Sequence, residues 1–240
     1  LYIIGGWAGY GYRSDKVYYT KINSDGSLGN FNTTTNLPAG LYYHSCTVYN
    51  DYLYVTGGND GSITEVVYYT KINDDGTTGE FDSTISLPIP VEYHTTVAYN
   101  GYLYMPRGRN TTYFYRYDLA SDSWEQLTNT PATFNDDTKG VEAGGYLYFF
   151  RGGGTTSFYR YDPATDGWTT LADPPAAVRY GGTLVYPGSG DYIYATRGSY
   201  TRSFWRYSIS GNSWDDAAVA DIPDNAEAAY GARLLTDGTD

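Results

Sequence analysis

An all-β fold of five radially repeated four-stranded antiparallel sheets, a five-bladed β-propeller, follows from three observations. One strand-like phrase recurs five times: Leu1-Tyr2-Ile3-Ile4-Gly5-Gly6, Tyr52-Leu53-Tyr54-Val55-Thr56-Gly57-Gly58, Tyr102-Leu103-Tyr104-Met105-Pro106-Arg107-Gly108, Tyr146-Leu147-Tyr148-Phe149-Phe150-Arg151-Gly152 and Tyr192-Ile193-Tyr194-Ala195-Thr196-Arg197-Gly198. Counted on Leu1, Leu53, Leu103, Leu147 and Ile193, the steps are 52, 50, 44 and 46 residues, the period of a blade or array. The runs around the phrase are aromatic and β-branched, as a pleated surface favours, and no stretch holds a helical period.

Each unit reads as four strands. The first precedes the phrase, as in Tyr43–Tyr49 and Tyr93–Tyr99. A tight turn follows at Asn50-Asp51, Asn100-Gly101, Gly144-Gly145 or Gly190-Asp191, pairs that tolerate the positive φ of two-residue hairpins. The phrase is the second strand. The third is Val17–Thr20, Val67–Thr70, Phe114–Tyr117, Phe158–Tyr161 or Phe204–Tyr207. The fourth opens on an aromatic: Phe31, Phe81, Trp124, Trp168 or Trp214. A loop at Pro38, Pro88, Pro131, Pro174-Pro175 or Pro223 then ends the unit, because proline has no N–H to give a ladder.

Gly5-Gly6 and Gly57-Gly58, Tyr117-Asp118 and Tyr161-Asp162, and the tryptophans at 124, 168 and 214, in this repeated order, resemble the kelch repeat over essentially the whole chain. The resemblance implies a propeller that binds proteins or glycans. The last three units carry Arg-Gly in place of Gly-Gly, and the first two carry Phe in place of Trp.

The 240 residues read as one domain, residues 1–240, with repeats at about 1–51, 52–101, 102–145, 146–191 and 192–240. The chain begins at a second strand and ends with a first strand, Ala228–Leu235. Pairing of these terminal strands is expected to close the ring and remove two exposed edges; a fragment of a longer array is the rival expectation. Leu1 is neither an initiating Met nor the start of a signal peptide, so the chain is read as part of a larger parent with other domains.

Acids outnumber bases by 27 to 15, a formal charge of -12, which argues against a nucleic-acid partner. No apolar run is long enough to insert in a membrane. The 30 tyrosines recur at fixed strand positions and are expected to pack between blades, each keeping a polar tip. Cys46 stands alone, excluding an internal disulfide, and is expected to be buried in its strand. Sequons at Asn32 and Asn110, with a Thr-, Asn- and Tyr-rich composition, point to an extracellular or cell-surface setting.

Arg107, Arg151 and Arg197 share one repeat position and so one height on adjacent blades. Their guanidiniums could together meet an anionic ligand such as an acidic sugar, or each could pair with a local acid or carbonyl. Arg116, Arg160 and Arg206 form a second set one strand away. His44 and His94 also share a position, where structural hydrogen bonding is the favoured role and a metal would need a third ligand. The segment Asn135-Asp136-Asp137-Thr138 replaces the His-bearing one in the third unit, and Asp136 or Asp137 could meet the arginines. The Asx-rich segments Asn23–Gly29 and Asn73–Gly79 read as turns rather than Ca²⁺ loops, so no cofactor is expected.

No nucleophile or metal-catalysis motif is legible. The expected function is a non-catalytic binding or scaffolding propeller of a larger surface protein, with a protein or glycan ligand. The alternatives are a lectin or carbohydrate-active enzyme using the arginine set on an acidic glycan, and a purely structural domain of a surface assembly. The fold does not choose between them.

Overall fold

The computed structural model describes residues 1–7, 9, 11–217 and 219–223, and among them there is no helix. The first sheet holds β1 (Tyr2–Ile4), β2 (Val17–Tyr19) and β3 (Asn32–Thr33). The second holds β4 (Ser45–Tyr49), β5 (Tyr52–Thr56), β6 (Val67–Lys71) and β7 (Asp82–Ser83). The third holds β8 (Val97–Tyr99), β9 (Tyr102–Pro106), β10 (Phe114–Asp118) and β11 (Ser123–Gln126). The fourth holds β12 (Lys139–Ala143), β13 (Tyr146–Phe150), β14 (Phe158–Asp162) and β15 (Gly167–Thr170). The fifth holds β16 (Thr183–Val185), β17 (Tyr192–Thr196), β18 (Phe204–Ser208) and β19 (Ser213–Asp215). Every pairing is antiparallel between neighbours in sequence, and β4, β8, β12 and β16 approach one another as the inner strands of adjacent blades. The protein is a five-bladed β-propeller. The expected pairing of Leu1–Ile4 with Ala228–Leu235 lies outside the described residues.

Three of the four hairpins form as expected, with positive φ at Asn50-Asp51, Asn100-Gly101 and Gly144-Gly145. Gly190-Asp191 does not make a two-residue hairpin. The connection from β16 to β17 spans residues 186–191, and the Tyr186 hydroxyl donates to the Gly190 carbonyl across it at 3.0 Å. Two other expectations are corrected. Cys46 is exposed on the inner strand, because the outward side of β4 alternates with its buried Ser45 side. His44 and His94 lie in the loops before the inner strands, because Tyr43 and Tyr93 hold φ of +57° and +59°, which a strand does not accommodate.

The blades are joined by one interface repeated with small changes. A tyrosine from the phrase meets a tyrosine and a tryptophan of the next blade: Tyr54 with Tyr117 and Trp124, Tyr104 with Tyr161 and Trp168, Tyr148 with Tyr207 and Trp214. The ring planes are tilted or edge-on, with Phe114–Tyr161 at 4.7 Å and Phe158–Tyr207 at 5.0 Å, the geometry a π quadrupole prefers. Each indole N–H donates backwards to the preceding blade: Trp124 to the Ile85 carbonyl, Trp168 to Thr128 and Trp214 to Ala172.

The turn between the third and fourth strands adds a clamp. Asp166, at φ +50°, accepts from the Tyr161 hydroxyl of its own blade and from the Thr128 amide and hydroxyl of the blade before. Asp122 does the same with Tyr117, Thr84 and Ile85, and Asn212 with Tyr207 and Ala172. Burial, then the Asp166 carboxylate, pushes the Tyr161 phenol well above its ordinary range, and burial raises Tyr207 to about 12. Among the described residues, blades one and two have neither the fourth-strand Trp nor the clamp, and are joined instead by hydroxyls: Tyr2 to the Gly76 carbonyl at 2.7 Å and Thr35 to the Thr78 carbonyl at 3.1 Å. The two classes of repeat are thus two chemistries of one joint.

The clamp yields a paired expectation. Asp166→Ala leaves the Thr128 amide and Tyr161 hydroxyl without their acceptor and is expected to cost about 1.5–3 kcal/mol. Asp166→Asn keeps a carbonyl oxygen, as Asn212 does, and is expected to stay within about 1 kcal/mol of the parent in urea denaturation. Equal losses in the two variants would show that the acceptor is not what matters.

Candidate functional site

All loops that run from an outer strand back to the next inner strand emerge on one face, together with the connections from second to third strands. On this face blades three to five carry a common knuckle. Arg109-Asn110, Gly153-Gly154 and Ser199-Tyr200 are consecutive left-handed residues. A threonine follows each, its hydroxyl donating back to the Gly108, Gly152 or Gly198 carbonyl at 2.7–3.0 Å. The incoming loops pack against these knuckles through the bridges Thr111–Phe134 and Thr155–Val178.

Loop length decides where a pocket opens. A fully buried residue anchors each loop, and a left-handed residue ends it. One residue separates anchor from end in Leu41–Tyr43 and Val91–Tyr93, but two in Phe134–Asp137 and Val178–Gly181. The extra residue lifts Asp136 and Tyr180 beside the knuckles. The result is a polar cavity of about 300 Å³ lined by Asn110, Asn135–Asp137, Gly153-Gly154, Arg179 and Tyr180. Gly153 lies directly beneath Asn135: a Cβ there would stand 2.6 Å from the Asn135 Cβ. Gly154 lies beneath Arg179, with a Cβ position 3.0 Å from Cζ. The glycines therefore seat the two side chains.

The polar groups of the cavity are underused by the fold. Asn135 Oδ1 is buried and has no hydrogen-bond partner. Among the described residues the Arg179 guanidinium and the Asp136 carboxylate make no ion pair. Beside this, Glu92 is nearly buried and satisfied, accepting from Arg109 at 3.2 Å and from Asn59 at 3.1 Å.

Aromatic rings continue from the cavity over the first two blades. The Tyr93 and Tyr43 rings stack at 3.8 Å, Tyr43 meets Tyr42 at 4.4 Å, and Tyr42 meets Trp7 at 5.1 Å. Burial and the hydroxyl of Tyr43 push the Tyr93 phenol far up, with the Glu92 and Asp136 carboxylates adding to the shift. A Cβ on Gly108 would lie 3.2 Å from the Asn135 carbonyl oxygen and 3.9 Å from that of Tyr93, so the ring row ends beside the cavity loop.

The residues singled out from sequence divide. Asp136 and Asp137 line the cavity; Arg107, Arg151, Arg197, His44 and His94 do not. Arg151 donates from Nε to the Thr133 carbonyl at 2.7 Å and from Nη2 to the Thr133 hydroxyl, and Arg197 donates from Nε to the Ala177 carbonyl at 3.3 Å. Both are used by the loop that precedes them. Arg107 Nε is buried with no partner. The second set stacks on the first tyrosine of each phrase, Arg116 on Tyr102, Arg160 on Tyr146 and Arg206 on Tyr192, at 4.4–4.5 Å. Arg116 and Arg206 also pair with their cross-strand neighbours Glu125 and Asp215. In the Asx-rich turns the Asp25 and Asp75 carboxylates accept from Ser27 and Thr77, which holds both below the ordinary carboxylate range.

Glycine at the end of the phrase goes with histidine in the next loop. A Cβ on Gly5 would lie 3.0 Å from the His44 ring, and one on Gly57 2.9 Å from the His94 ring. Where the phrase ends in Arg107 or Arg151, the next loop offers Thr138 or Gly182 at the histidine position. His94 is fully buried, with Nε2 2.9 Å from the Thr56 hydroxyl and Nδ1 unpartnered. Burial lowers its pKa from 6.5 to about 3. The unfolded chain binds the additional proton in that window, so this contribution to stability is complete above pH 6.5 and is lost as pH falls toward 3. Between pH 6.5 and 5, above the carboxylate range, thermal stability is expected to drop on acidification, with a shallower slope in His94→Gln. A slope unchanged by the substitution would contradict the assignment.

Arg179, Tyr180 and the Gly153-Gly154 pair were not legible as site residues; Asn135 was read only within the irregular segment Asn135–Thr138, and Asn110 only as a sequon. The available signal was the one-residue lengthening of two loops, visible only once their buried anchors are known. Among the described residues no three His, Cys, Asp or Glu side chains gather as a metal set would require. No protein-family model matches this chain, and no curated protein matches it.

Proposed function

We propose that this propeller is a non-catalytic binding module, of kelch type, in a larger extracellular or cell-surface protein, and that a protein or glycan ligand seats on the loop face over blades three to five. The observation that carries the reading is the polar cavity in which Asn135 Oδ1 is buried without a hydrogen-bond partner and, among the described residues, Arg179 and Asp136 make no ion pair. Buried polar groups are ordinarily satisfied, and a cavity with a few convergent polar groups is the usual form of a ligand site. The acidic balance of -12 supports a partner other than nucleic acid. No helix of the described residues is long and apolar enough to cross a membrane.

A mixed array of immobilised glycans and peptides tests the reading. The parent is expected to bind at least one probe, and Arg179→Ala and Asp136→Asn are each expected to weaken that binding about tenfold or more with unchanged melting temperature. Binding that both variants retain in full would sink it. A second reading, an acidic glycan held by the arginine set, is favoured by one observation only, the buried and unpartnered Arg107 Nε. It requires loss of acidic-glycan binding in Arg107→Ala.

A further inference from the structure

We infer that the ligand of this face is a neutral glycan chain, with one sugar in the cavity and the chain continuing along the aromatic row toward Trp7; the inference rests on the binding reading above and names its ligand class. Four features of the face lead to it.

The first is hydrogen-bond sense. The cavity sets an orphan acceptor, Asn135 Oδ1, and a carboxylate, Asp136, beside the donors of Arg179. A sugar hydroxyl both donates and accepts, so adjacent hydroxyls of one ring satisfy such a mixture where a purely anionic or cationic group would not. The second is charge. The Asp136 carboxylate lines the cavity, within a chain of net charge -12. An acidic sugar would meet repulsion from Asp136, which separates this inference from the arginine-set reading. The volume of about 300 Å³ lies at the small end of ligand sites.

The third is the aromatic row. Trp7 is 55 % exposed and Tyr43 40 % exposed, so rings remain open along a path that starts at the cavity edge. Such rings offer apolar surface with polar tips, matching the apolar C–H faces and hydroxyl rims of successive sugars. Tyr43 and Tyr93 hold left-handed backbones, a strain that proteins retain at ligand clamps. The fourth argues against a peptide added as a strand. The amides of Gly153 and Gly154 donate to the Asp136 and Val178 carbonyls, and that of Tyr93 donates to the Tyr43 carbonyl. Main-chain pairing of the kind peptide addition uses has little to meet here.

The test is affinity electrophoresis of the full chain through gels containing galactomannan, xylan or mixed-linkage glucan, with polygalacturonate as the acidic comparator. At least one neutral polysaccharide is expected to retard the parent. Arg179→Ala and Trp7→Ala, both at exposed side chains, are each expected to raise the apparent Kd about tenfold or more while keeping the parent melting temperature. Retardation by polygalacturonate alone, or equal retardation of parent and variants, overturns the inference. A parent that ignores every polysaccharide but binds immobilised peptides through Arg179 overturns it too, and leaves the binding-module reading standing. Failure to bind any of these probes overturns both.

Discussion

Phe158→Ala is expected to destabilise the propeller by about 3–5 kcal/mol, lowering the melting temperature by on the order of 10 °C for a domain of this length. Phe158 is completely buried at the start of β14. Its ring meets Tyr207 at 5.0 Å and 76° and Trp214 at 5.0 Å and 62°, so it is the wedge between the fourth and fifth blades. Truncation leaves a cavity bounded by large rings that cannot collapse without moving a blade. The equivalent Phe114, against Tyr161 and Trp168, is expected to behave alike. A loss under about 1 kcal/mol for either would mean that the blades are held chiefly by other contacts.

Gly152→Ala is the second large effect, and it couples stability to the site. The residue has φ +76°, and an added Cβ would stand 2.4 Å from the Asp136 carbonyl oxygen and 2.8 Å from the Thr138 amide nitrogen. Left-handed backbone strain of about 1–3 kcal/mol and overpacking of a similar size both act. The loop carrying Asp136 must shift, so ligand binding is expected to fall with stability. Gly144→Ala provides the comparison. It has φ +59° with open space around the Cβ position, so only the backbone cost remains and binding is unchanged. Equal effects at the two glycines would show that the close approach at Gly152 is not limiting.

The fold was largely legible because its determinants are local and repeated. The phrase ending at Gly58, Gly108, Gly152 and Gly198, the turn pairs at 50–51, 100–101 and 144–145, and the indoles at 124, 168 and 214 each perform in the structure the task their chemistry predicts. The Gly190-Asp191 turn failed for a local reason as well, since β16 ends at Val185 and leaves a longer connection. The site was legible only in part. Asp136 and Asp137 stood out because they break the repeat, and they line the cavity. The arginine set drew notice through its repetition, yet repetition is what a joint between loops requires, as the Arg151–Thr133 and Arg197–Ala177 bonds show. Arg179 carried no repeat signal, and Asn135 was read only as part of the irregular segment Asn135–Thr138. Their role arises from two glycines beneath them and from one additional residue in each loop, relations between chain segments that no single segment displays.

The loop face over blades three to five is the predicted ligand face. Hydrogen–deuterium exchange of the chain, free and saturated with whichever glycan or peptide it binds, measures this most directly. Protection is predicted at residues 107–113, 134–139, 151–157 and 178–182, around Asn135 and Arg179, and nowhere on the opposite rim. Protection centred instead on the hairpins at Asn50-Asp51, Asn100-Gly101 and Gly144-Gly145, with the cavity loops unchanged, would contradict it.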